Sequence, residues 1–166
     1  MALAYLGLGS NLGDRESHLQ QAIAALSAVP EISDLAVSGF HETDPVGPQD
    51  QGPFLNAAVR IETSLPPRQL LDRLLAIEER LGRLPREERR HWGPREIDLD
   101  LLIYDEKIIG EPGLTVPHPH LHERTFVLRP LAELSADLRH PVLRWTVAQL
   151  LVEAEAACPT AEVARL

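Results

Sequence analysis

The sequence predicts an α+β sandwich of βαββαβ order, the ferredoxin-like pattern. Two observations carry this. Apolar and polar residues alternate near 55–62 and 97–104, as in strands with one buried face, and apolar residues recur at helical spacing near 15–27 and 67–81. A third is the order of these segments along the chain, each closed by a Gly- or Pro-rich break.

Residues 2–8 are mostly apolar and read as a buried strand. Gly9 to Asp14 is a turn, with Asp14 placed to cap the next helix. Leu19, Ala22, Ile23 and Leu26 line one side of that helix, and Pro30 stops it. Residues 34–41 alternate weakly and predict a strand. Residues 43–53 hold three prolines and two glycines, a long loop with the character of a binding segment. Leu55, Ala57, Val59 and Ile61 form the apolar face of the next strand. Pro66-Pro67 opens a helix with the stripe Leu70, Leu71, Leu74, Leu75, Ile77 and Leu81, and Gly82 sits where a C-terminal cap belongs. A second loop covers 83–96. Ile97, Leu99, Leu101 and Ile103 then alternate with Asp98, Asp100, Leu102 and Tyr104. Beyond it, helices are expected near 123–134, made short or irregular by Pro130, and near 146–156.

The 166 residues are expected to form one domain, 1–166. The formal charge of −9 argues against a nucleic-acid partner. An anionic small molecule is still compatible, because six arginines stand against two glutamates between Arg80 and Arg95. One cysteine, Cys158, allows neither an intrachain disulfide nor a thiolate zinc site. No secretory leader and no membrane span is legible, so a soluble cytoplasmic protein is expected.

Asp98 and Asp100 are two apart on a strand, so both carboxylates leave the same face. Such a pair repels unless a cation intervenes, and Mg²⁺ prefers oxygen donors completed by substrate phosphates. An isolated Asp-x-Asp is more often a polar strand edge. Here the arginine cluster stands just upstream, and guanidinium forks suit phosphate oxygens. One or two of these arginines, Arg89 or Arg90, belong to a solvated face on this reading. Gly7, Gly9 and Gly13 do not make a dinucleotide fingerprint, since Leu12 stands where the third glycine would be, and no Walker A loop exists. His118, His120 and His122 alternate in a Pro-stiffened loop; exposed side chains are expected for the last two.

These motifs together resemble the 6-hydroxymethyl-7,8-dihydropterin pyrophosphokinase family over nearly the whole chain. The matching runs are Gly7 to Gly13, Thr43 to Gln51, Phe54 to Val59, Trp92-Gly93-Pro94-Arg95-Glu96-Ile97-Asp98-Leu99-Asp100, and Leu114 to His118 followed by Arg124-Thr125-Phe126. The resemblance implies transfer of the terminal diphosphate of ATP to a pterin hydroxymethyl group, giving AMP and the pterin diphosphate in folate biosynthesis. It implies two Mg²⁺ ions on Asp98 and Asp100. Arg83 and Arg95 would act on the transferring phosphates. Glu78, Arg86, Trp92, Leu101, Thr115, His118 and Arg124 would line the ATP side. Gly9, Thr43, Val46, Phe54, Asn56, Trp92 and Phe126 would hold the pterin, with the ring between the two phenylalanines. The family implies a monomer working on small molecules, away from membranes. This chain departs from the common pattern at Asp44, Phe54 and His91. Two other classes fit parts of the sequence. Another Mg²⁺-dependent phosphoryl or nucleotidyl transferase would keep the carboxylates without the Phe54–Asn56–Phe126 set. A non-catalytic ferredoxin-like ligand-binding module would need neither aspartate.

Overall fold

The structure is a computed structural model that describes residues 1–43, 53–82, 96–157 and 163–165. Its central strand, β1 (Ala2–Ser10), pairs antiparallel with β4 (Phe54–Thr63) on one side and β5 (Asp98–Tyr104) on the other. The strand expected over 34–41 is two strands, β2 (Ile32–Val37) and β3 (His41–Thr43), both paired with β4. Ser38 causes the break. Its hydroxyl accepts from Ala58 N at 2.8 Å and donates to Gly39 O at 2.8 Å, so a side chain takes a place that the backbone ladder would fill.

Helix α1 (Arg15–Ser27) starts as expected: the Asp14 carboxylate accepts from Ser17 N at 3.1 Å. Helix α2 (Pro67–Arg80) starts on Pro67 and ends before Gly82, whose φ of +106° is the left-handed turn that glycine adopts without a Cβ penalty. Both helices cover one face of the sheet, over Leu6, Leu8, Val59, Ile61 and Leu99. Burying each of these large side chains contributes roughly 1.5–3 kcal/mol.

The opposite face is covered as well. Helices α3 (Thr125–Ser135) and α4 (Val147–Ala157) bury Tyr5, Ala58, Leu102 and Ile103. The sheet is therefore the middle of three layers, not one side of two. Helix α3 runs through Pro130, which has no N–H to give to Phe126 O, and a 3-10 turn at Leu121–Glu123 precedes it. Three further strands escaped the sequence reading. Strands β6 (Ile109–Glu111) and β7 (Leu114–Val116) form a hairpin, and β8 (Val163–Arg165) pairs with β3. The strand order is β5-β1-β4-β3-β8, with β2 beside β4. Among the described residues no helix is long and apolar enough to cross a membrane.

One expectation about β5 needs correction. Its register against β1 slips between Tyr5 and Leu6: Tyr5 pairs with Ile103, and Leu6 with Leu101. Leu102 is the extra residue of a bulge, which inverts the alternation beyond it. Ile103 thus joins Leu102 in the core under α3, and Tyr104 turns to the α1/α2 side, where its hydroxyl donates to Leu65 O at 2.5 Å.

Candidate active site

Residues paired across an antiparallel sheet share a face, so the register lists what stands beside what. Asp98 pairs with Gly9, Gly9 with Asn56, and Asn56 with His41. In the next row Asp100 pairs with Gly7, and Gly7 with Ala58. Both aspartates are half-exposed and share the α3 side of the sheet, before the bulge can disturb their alternation. Gly7 and Gly9, the floor between the carboxylates on β5 and the wall on β4, carry no side chain, and the Leu102 side chain lies over Gly7, 3.5 Å from where a Cβ would stand. Two strand spacings set that span at ~10 Å. The wall stands close over the floor: a Cβ on Gly9 would lie 3.1 Å from Asn56 Oδ1 and 3.7 Å from Phe54 Cδ1. Gly9 is needed for this approach, not for a positive φ.

The Asn56 amide is oriented by its neighbour. Its Nδ2 donates to Thr43 Oγ1 at 2.7 Å, so Oδ1 faces the floor as an acceptor. Phe54, the register partner of Thr43, is 8% exposed.

A second group comes from the chain after β7. His118 is tied to β5 by its N–H, which donates to Leu102 O at 2.9 Å. Burial, with Arg124 and His120 adding to it and Asp98 opposing, pushes its pKa down to about 4. The ring is therefore neutral at pH 7. Its Nδ1 accepts from His120 N at 3.1 Å, which leaves the proton on Nε2 as a hydrogen-bond donor. The Arg124 guanidinium lies 5.7 Å from the centroid of the half-buried Phe126 ring, a cation–π contact at the first turn of α3.

The lowered His118 value carries a pH prediction. Between about pH 6.5 and 4 the unfolded chain binds a proton that the folded protein refuses, so stability falls as pH drops through this window and levels below it. The loss amounts to at most about 3 kcal/mol. Urea unfolding at pH 7 and pH 4 is expected to show a smaller drop for His118→Gln than for the parent protein; equal drops would mean that the imidazole is not buried.

Glu78 and Leu101, expected on the ATP side, both have buried side chains. Glu78 is 1% exposed beneath the outer edge of β5, and its Oε2 accepts from Leu99 N at 2.6 Å. The Leu101 side chain packs in the α1/α2 core, facing away from Asp98 and Asp100. Thr115 is exposed on β7, which packs on β5. His120 is exposed as expected and contacts Glu123 at 2.6 Å. His122 is half-buried instead, its ring edge-on to His140. Val46, Arg83, Arg86, Arg89, Arg90, His91, Trp92 and Arg95 lie outside the described residues.

The sequence reading overlooked three side chains near this face. Arg15 reaches Pro53 O at 3.0 Å and Glu42 Oε2 at 2.9 Å, bridging the two flanks of segment 44–52. His41 contacts Glu133 of α3. A charged residue in the first turn of a helix, or in a three-residue strand, carries no local signal of such partners.

A carboxylate pair, a neutral imidazole, a guanidinium and an oriented amide lie on one face of a ferredoxin-like sheet, a set whose chemistry suits the phosphates of a small transferase. The family model of 7,8-dihydro-6-hydroxymethylpterin-pyrophosphokinase (HPPK) matches residues 5–136. The 2-amino-4-hydroxy-6-hydroxymethyldihydropteridine pyrophosphokinase of Bacillus subtilis is 52% identical over 132 residues, covering 80% of this chain and 77% of that one. The protein of the same name from Pseudomonas aeruginosa is 44% identical over 98% of this chain and 95% of its own length. Among solved structures, a Plasmodium falciparum HPPK-DHPS triple mutant superposes with a TM-score of 0.72 at 16% identity. The match covers 96% of this chain and 45% of that longer one, and it speaks for the fold. The chain belongs to the HPPK family, and it is an ATP-dependent pyrophosphokinase of folate biosynthesis.

Proposed function

We propose that Asp98 and Asp100 hold two Mg²⁺ ions that engage the ATP phosphates, and that the 6-hydroxymethyl-7,8-dihydropterin ring lies on the Gly9 floor against Asn56 and Phe54. The observation that carries this reading is the row Asp98–Gly9–Asn56, which puts a hard oxygen donor and an amide acceptor on either side of a glycine. The donor set suits the metal: two half-exposed carboxylates, two residues apart on one face of β5. Oxygens of ATP and water would complete such a shell. Bound there, Mg²⁺ would neutralise phosphate charge and polarise the reacting oxygens.

The protein's own groups supply position. Asn56 Oδ1 accepts from N–H groups at the edge of the ring, while Thr43 holds the amide in that orientation. Phe54 and Phe126 offer aromatic faces to a flat heterocycle. His118, through Nε2–H, and Arg124 donate to phosphate oxygens. Arg83, Arg86, Arg95 and Trp92 are assigned to the phosphates and to covering the site by their places in the family motif. The hydroxymethyl oxygen forms a bond to the β-phosphorus, the α–β bridge of ATP breaks, and AMP leaves as the alcohol gives up its proton. Transfers of this kind depend on alignment and charge neutralisation more than on covalent help.

The test resolves AMP from ADP after incubation with ATP, Mg²⁺ and 6-hydroxymethyl-7,8-dihydropterin. One AMP per pterin diphosphate is expected. ADP as the product would assign the attack to the γ-phosphorus and overturn the proposed mechanism.

A further inference from the structure

The face that carries the site also holds a shielded ionisable couple to which the mechanism above gives no task. His41 is 7% exposed on β3, and its Nε2 contacts Oε1 of Glu133, whose side chain is 22% exposed on α3. Each member sits one step from the ring site. His41 is the register partner of Asn56, and two residues on, Thr43 holds the Asn56 amide. Glu133 lies seven residues beyond Phe126, two helical turns along the same face of α3. The couple thus joins the strand that orients the amide to the helix that carries Phe126 and Arg124.

We propose that His41 and Glu133 are a positioning pair that sets the gap between the Asn56–Thr43 wall and Phe126, and so governs affinity for the pterin ring; this rests on the ring site proposed above. The apolar core under α3, including Tyr5, Ala58, Leu128 and Leu131, already supplies cohesion between helix and sheet. Apolar packing resists separation but resists sliding weakly. A directional contact between one strand atom and one helix atom fixes the slide and the rotation of α3. A shielded polar or ionic contact is often no more stabilising than apolar replacements of similar volume, and registry is the best-attested use of such pairs. In enzyme sites a misplacement of ~1 Å can cost ~100-fold in rate, and a planar ring held between two walls depends on the same alignment.

The test compares Glu133→Leu, Glu133→Gln and His41→Leu with the parent protein. Thermal melting is recorded first. Binding of α,β-methylene ATP with Mg²⁺ is then titrated alone, and pterin binding is titrated with that analogue saturating. Glu133→Leu is expected to melt cooperatively, to bind the nucleotide within about twofold of the parent, and to bind pterin at least ~10-fold more weakly. Glu133→Gln, which keeps an acceptor for His41, is expected to recover most of that loss. Unchanged pterin affinity in Glu133→Leu, or an equal loss for both ligands, would overturn the pairing role. If Glu133→Leu does not fold, His41→Leu decides by the same criteria. Asn56→Ala and Phe126→Ala separate the two ideas. Weakened pterin binding in both, with Glu133→Leu and His41→Leu at parental affinity, overturns the positioning pair alone. Parental affinity in both overturns the ring site and the pair with it.

Discussion

Asp98→Asn and Asp100→Asn are each expected to lower kcat roughly 100- to 1000-fold while the protein still folds, an effect of the size seen when charge stabilisation is removed from a transition state. The aspartates share one face of β5 and pair with Gly9 and Gly7 of β1, which bring no side chains of their own against them. Asparagine keeps the volume and one acceptor oxygen at each site. It removes the charge, and with it the donor that a hard divalent cation needs. Cooperative melting is expected to persist, because each change relieves repulsion between neighbouring carboxylates. Steady-state AMP release and a thermal melt on the same preparations check both halves. A double variant with parental activity would remove the metal assignment, whatever its melting temperature.

Glu78→Ala is expected to cost about 3 kcal/mol of stability, from a buried N–H left without its acceptor and from lost packing. For a chain of this size that is a fall of roughly 6–12 °C in Tm. The reason is the 2.6 Å bond from Leu99 N to the Glu78 carboxylate beneath the edge of β5. Leu99 stands between the two aspartates, so the helix carboxylate holds the strand from which both project. Activity should fall further than the folded fraction explains. Glu78→Gln, which keeps an acceptor, should lose much less stability. Were the carboxylate chiefly a nucleotide contact, Glu78→Ala would instead raise the KM for ATP with Tm unchanged.

Where a segment's own residues decide its state, the sequence was sufficient. Asp14 and the spacing of Leu19, Ala22 and Leu26 specify α1, and Pro67 with Gly82 brackets α2. The alternation around Ile97 and Leu99 placed both aspartates on one face, as found. These signals act within a turn or two of chain, the range over which neighbouring side chains meet. The motif runs named the family for the same reason: they are contiguous.

Other features depend on which segment docks against which. The bulge at Leu102 exists only because β5 pairs with β1, and it overrode the alternation that put Ile103 on the wrong side. Ser38 divides one expected strand into two because Ala58 lies opposite it. The third layer arises because Tyr5, Ala58 and Leu102 leave an apolar second face that α3 and α4 cover. His41 and Glu133 are 92 positions apart. Their contact follows from the docking of α3 on β3, and no pattern short of the folded chain could have joined them.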